Sequence, residues 1–123
     1  MSADAAAQAT APRVLSPLVV VDAPGLRIEE HVGHSTGEAA LSLAKVTVTA
    51  PHVDPAHTPL FDEYILVLSG EVHVAVGGKA APLVARAGQT LHLPKGFAYT
   101  VTTPGPAEYI PVCYPAFHPS LKG

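Results

Sequence analysis

The chain has one cysteine, one methionine, no tryptophan, four tyrosines and three phenylalanines in 123 residues. A lone thiol, Cys113, excludes an intramolecular disulfide and a zinc site built on the cysteines of one chain. In the apolar run EYIPVCYPAF it reads as a small core residue. Charge is scarce too: 14% of residues are charged and the formal net charge is -3. A surface of that kind cannot release counterions from nucleic acid, so no nucleic-acid partner is expected. No apolar run approaches the roughly 20 residues that cross a bilayer. The opening MSADAAAQATAPR has neither a basic region nor the apolar stretch of a signal peptide. The expectation is a cytoplasmic protein with no membrane partner. Helical stripes are missing as well, since no segment keeps an apolar period of about 3.6 residues over three turns. Thirteen prolines and ten glycines interrupt the chain too often for a helix bundle.

What remains is a series of short alternating or β-branched segments separated by Gly, Pro, Asp and Ser: LVVVDA, LRIEEHV, ALSLAKVTVTA, EYILVLSG, EVHVAVGG, LVARAG, QTLHLPKG, FAYTVTTPG and EYIPVCYP. The pattern is all-β, and strands at this spacing build a sandwich or a jelly-roll β-barrel. The clearest local unit is a hairpin from Tyr64 to Val76, turning at Ser69-Gly70, with its second strand ending at Gly77-Gly78. Small residues and prolines without a stripe make residues 1–17 a flexible N-terminal arm, and residues 18–123 one domain. The 48% hydrophobic content supplies its core.

Two stretches carry a resemblance. Glu63 is followed by six residues and Gly70; further on, Gly88 is followed by five residues, Pro94, Lys95, Gly96, two residues and Tyr99. These resemble the paired motifs of the cupin superfamily, in which the first reads H-x-H, three or four residues, E, six residues, G, and the second G, five residues, P-x-G, two residues, H. His57 stands at the first histidine position. The wording of FDEYILVLSGEVHV and AEYIPVCYPAFHP is similar to the small single-domain cupins of the ethanolamine-utilisation type. The resemblance covers about residues 30 to 117 and implies a cupin-like jelly-roll β-barrel enclosing a pocket. It does not bring the full ligand set of a metal cupin, because Pro59 and Tyr99 occupy two of the four ligand positions. A divalent transition metal usually needs at least three protein donors. No metal cofactor is therefore expected, and the alternative is one divalent Fe, Mn, Ni or Zn held by His57, Glu63, His52 and Tyr99.

Strand parity extends the reading. With Glu63 inward, Ile65 and Val67 share its face, while Tyr64, Leu66 and Leu68 point outward. The outer face is then apolar too, which fits a homodimer packed through that sheet. Tyr99 and Val101 share one face, so His57, Glu63 and Tyr99 meet at the barrel mouth against Ile65, Val67 and Val101. His52 lies in the preceding loop, Tyr109 on the last strand, and Lys45 points either into the cavity or to solvent; these are candidate substrate contacts. His31, His34, His73, His92 and His118 are expected at the surface, and Asp62 opposite Glu63.

A His, Glu and Tyr around an apolar pocket form an acid/base set: Glu63 or His57 takes a proton next to a carbonyl and Tyr99 donates to the developing oxyanion. The expected function is a small cupin enzyme with lyase, dehydratase, isomerase or cyclase chemistry on a small organic substrate. A metal-dependent dioxygenase or isomerase and a non-catalytic ligand-binding or sensory cupin are the alternatives. Another reading of the site is that Glu63 only accepts hydrogen bonds from His57 and Tyr99.

Overall fold

The structure, a computed structural model, describes residues 11–79 and 81–123. Among the described residues ten strands follow one another: β1 (Leu18–Ala23), β2 (Leu26–Val32), β3 (Ser42–Val48), β4 (His52–His57), β5 (Asp62–Ser69), β6 (Glu71–Val76), β7 (Leu83–Arg86), β8 (Thr90–Leu93), β9 (Tyr99–Thr103) and β10 (Ala107–Tyr114). They form a six-stranded sheet in the order β1-β2-β3-β10-β5-β8 and a four-stranded sheet in the order β4-β9-β6-β7. Every pairing is antiparallel. The two sheets face each other as a jelly-roll sandwich. Residues 11–17 precede the first strand without regular structure, and residues 1–10 of the expected arm lie outside the described residues. Among the described residues no helix is long and apolar enough to cross a membrane.

The expected hairpin from Tyr64 to Val76 does not form. β5 pairs with β10 and β8, whereas β6 pairs with β9 and β7 in the other sheet. Only Gly70 separates β5 from β6, and a single residue cannot make the two-residue turn that closes a hairpin. Gly70 instead turns the chain from one sheet to the other, at φ 75°, pressed against the carbonyl oxygen of Pro106 and against Ala107. A Cβ at this position would overlap both.

One end of the sandwich is solid. Ile65, Val67, Leu91 and Leu93 of the six-stranded sheet pack on Val72, Val74, Ala85 and Tyr99 of the four-stranded sheet, and all are buried. The other end is hollow. There the inward residues of β2, β3 and β10 face β4, which is short and irregular, and a cavity of about 640 Å³ remains between them. β5 runs along the boundary, with Ile65 touching both the packed core and the cavity.

Candidate functional site

Parity on β5 follows the sequence. Ile65 and Val67 are buried, while Tyr64, Leu66 and Leu68 are 38–43% exposed. Glu63 therefore turns inward and lines the cavity. Its backbone neighbours are Cys113 on β10 and Leu93 on β8. On β10 the same alternation turns Tyr109, Pro111 and Cys113 inward, and on β3 it turns Ser42, Ala44 and Val46 inward.

β4 brings the imidazoles. His52 and Asp54 point inward at ordinary two-residue spacing, and the register then slips between Asp54 and His57. The extra residue resets the alternation, so His57 rather than Ala56 faces the cavity. His57 Nδ1 lies 2.8 Å from the Pro55 carbonyl oxygen and 3.9 Å from Asp54 Oδ2. A carbonyl only accepts, so Nδ1 carries the hydrogen and the lone pair of the neutral ring is on Nε2. Asp54 is held from its other oxygen by Lys122 Nζ at 2.8 Å.

The electrostatics centre on Glu63. Burial pushes its pKa up to about 7, partly offset by a hydrogen bond from Cys113, while the charge of Asp54 pushes the same way as burial. Burial, then the Glu63 charge, push the Tyr109 phenol and the Cys113 thiol upward, so both stay protonated. Glu30, a buried carboxylate on the same wall, is occupied: it accepts from Ser35 N at 2.9 Å and from Ser35 Oγ at 2.5 Å. The rest of the lining is largely apolar, including Ile28, Val46, Phe61 and Val101.

Of the residues singled out from sequence, the cavity gathers His52, His57, Glu63, Ile65, Val101 and Tyr109. It does not gather the other three. Tyr99 packs in the solid core and donates its hydroxyl to the Pro94 carbonyl at 2.5 Å; burial, then Glu63, raise its pKa. Val67 is fully buried in the same core. Lys45 turns to the outer face and pairs with Glu108 at 3.2 Å. Cys113, buried as expected of a core residue, also lines the cavity, together with Asp54, Ser42 and Lys122. His34 and His118 are exposed, as expected, and stand at the rim of the cavity, where their rings meet edge to face at 5.1 Å. Parity along β10 would have found Cys113, since it shares a face with Tyr109. No local signal marks Lys122.

The donor set does not fit the metal that many cupins hold. Pro59 lacks a donor and the Tyr99 hydroxyl is committed to Pro94, which leaves His57 Nε2 and Glu63 of the four motif positions. Among the described residues no three His, Cys, Asp or Glu side chains converge in a way that could hold a metal ion.

A two-sheet jelly roll with an inward glutamate at the start of a central strand is consistent with the cupin fold. Residues 54–106 match the family model of the EutQ-like cupin domain, and that match together with the fold supports a small cupin of the EutQ type. It is 36% identical over 100 residues, 79% of the chain, to the endoribonuclease YbeY of Myxococcus xanthus. The chain spans a third of the length of that curated relative. Among solved structures it resembles a putative ethanolamine utilization protein Q from Salmonella typhimurium, at 20% identity and a TM-score of 0.63, covering 87% of this chain and all of that one. It also resembles the oxalate decarboxylase of Bacillus subtilis, a protein with Mn(II) centers, at 14% identity and a TM-score of 0.68, covering 90% of this chain and 32% of that one. These similarities to solved structures bear on the fold alone.

Proposed function

We propose that this cupin is a metal-independent acid/base enzyme acting on a small, predominantly neutral organic molecule inside the cavity. The observation that carries the reading is the Glu63 carboxyl, enclosed by largely apolar walls with its pKa pushed up to about 7. A group with that pKa is half ionised near neutrality, so it can take a proton in one step and return it in the next. His57 offers Nε2 as a second basic atom. Tyr109, buried and protonated, supplies the hydroxyl for an oxyanion developing on a carbonyl, the role expected from sequence for Tyr99. Proton abstraction beside a carbonyl, followed by reprotonation elsewhere or by loss of a leaving group, covers isomerase, cyclase, dehydratase and lyase outcomes. Charge limits the ligand: Glu30, Asp54 and Glu63 line the cavity, and among the described residues the one lysine or arginine of the lining, Lys122, is already on Asp54. A substrate carboxylate would meet like charge.

The test is solvent exchange. The protein is incubated in D2O with a panel of neutral enolisable ketones and aldehydes, and deuterium uptake beside the carbonyl is read by mass spectrometry. Uptake with at least one compound, falling about 100-fold or more in Glu63→Gln, is the expected result. Ligand-dependent melting shifts that persist in Glu63→Gln, with no exchange by the wild type, would replace this reading with a binding role.

Two features of the setting belong to the same proposal. A cytoplasmic, reducing compartment suits a cavity that contains a free thiol. A second copy of the chain covers the outer face of the six-stranded sheet, where Tyr64, Leu66 and Leu68 stand exposed. That face also carries Lys45 beside Glu108 and Arg27 beside Glu29. With both signs at its edge, the face can meet a two-fold copy of itself without like-charge conflict.

A further inference from the structure

We propose that the cavity takes carbonyl compounds with an unbranched aliphatic tail, and that Val46, Ile28 and Val21 form the strip on which the tail lies. The strand register builds the strip. Ile28 on β2 stands opposite Val46 on β3 and Val21 on β1, and Val46 stands opposite Tyr109 on β10. All four side chains line the cavity, so they make one row across the inner face of the six-stranded sheet. Tyr109 is its polar end. From there to Val21 the row crosses three strand spacings, about 14 Å, and meets no other polar side chain. The walls of the cavity are sorted accordingly. Glu63, His57 and Tyr109, the groups that can meet a carbonyl, stand on β5, β4 and β10, while the wall from β1 and β2 is apolar except for Glu30, whose carboxylate is held by Ser35.

Burial along the row shows what the strip lacks. Val46 is buried, Ile28 and Val21 are only half-buried, and Val20, which the irregular register beside Val21 also brings to the cavity, is 45% exposed. Six strands lie against four, and the smaller sheet ends at β4, so the inner face of the β1–β2 hairpin has no strand to pack on. The charged residues of that hairpin turn the other way: Arg27 pairs with Asp22 at 3.6 Å and with Glu29 at 3.5 Å. Charge is kept off the cavity, and apolar side chains stand before open space. An aliphatic chain laid there leaves water together with the strip, whereas a charged tail would lose its hydration without gaining a partner. The row runs straight across the strands, which suits an extended chain. A volume of about 640 Å³ lies within the range of small-molecule sites and holds head and tail together.

The inference rests on the acid/base reading for the place of the carbonyl, and its test measures binding apart from chemistry. Straight-chain methyl ketones from butanone to the nine-carbon member are titrated by NMR into the wild type, into Glu63→Gln and into the double variant Val21→Thr/Ile28→Thr, which keeps β-branched side chains on the hairpin. In the wild type each added CH2 tightens binding about three- to fourfold, and Glu63→Gln keeps that dependence. In the double variant the nine-carbon ketone weakens about tenfold more than butanone. A dissociation constant that does not fall with chain length, or a chain-length dependence equal in the wild type and the double variant, overturns the proposal. Should the double variant fail to fold, Ile28→Thr alone decides by the same comparison. A flat series in the wild type, with a dimer that the double variant breaks, would give the strip to a second copy of the chain. Chain-length dependence with no deuterium exchange into any ketone would leave the tail site standing and remove the enzymatic reading. Exchange into butanone with a flat series would do the reverse.

Discussion

Burial makes Glu63 a stability group as well as a chemical one. In the unfolded chain its carboxyl has the ordinary value of 4.5, and in the folded protein about 7. Between those values the folded state holds the proton more tightly, so stability is greatest below about pH 4.5 for this group, falls as pH rises to about 7 and levels off above. A tenfold difference in proton affinity between the two states is worth about 1.4 kcal/mol, which makes the full fall about 3 kcal/mol. Urea unfolding at several pH values should show this fall in the wild type and its loss in Glu63→Gln. Equal pH dependence in the two proteins would mean that Glu63 is not held at a raised pKa. At this scale motif spacing and parity pointed to Glu63 and His57, and both line the cavity, as do His52 and Tyr109, which the sequence offered only as candidate contacts. It misassigned Tyr99, whose hydroxyl lies within reach of the Pro94 carbonyl only after β8 and β9 have packed.

At the scale of elements, two backbone irregularities shape the site. The slip in β4 brings His57 onto the cavity wall, and the single-residue corner at Gly70 carries β6 into the opposite sheet. Gly70→Ala combines an unfavourable φ with a collision against Pro106, and a loss of about 3 kcal/mol or more in urea unfolding is expected. Gly78→Ala, also at positive φ but with open space around it, should lose about 1 kcal/mol. A comparable loss in both would remove the close approach as the reason for glycine at position 70. In the solid half of the sandwich, Leu93→Ala should cost about 2–5 kcal/mol, since its neighbours are fully packed. Strand existence was legible from alternation, while pairing was not. A hairpin and a sheet-to-sheet corner share the same local pattern of strand, glycine and strand.

For the whole molecule, the division into a solid and a hollow half locates the cavity, and the apolar outer face bears on assembly. Light scattering on the purified protein should give a dimer, and Leu66→Lys should yield a folded monomer; a monomeric wild type would remove the second copy from the proposal. Metal content is a property of the same scale, since the donors come from several strands. Elemental analysis of protein purified without a histidine tag and incubated with Fe, Mn, Ni and Zn should find no stoichiometric metal. About one metal per chain, lost in both His57→Ala and Glu63→Gln, would replace the acid/base reading with Lewis-acid chemistry. The sequence by itself determined that the chain is all-β, that its paired motifs resemble those of cupins, and that Glu63 points inward. These follow from alternation and motif spacing, which are local. The tertiary structure decided which strands pair, that Tyr109 rather than Tyr99 reaches the cavity, and that Cys113, Ser42 and the C-terminal segment line the same cavity as Glu63. Those contacts join residues far apart in the chain, and their geometry exists only once the two sheets have closed on each other.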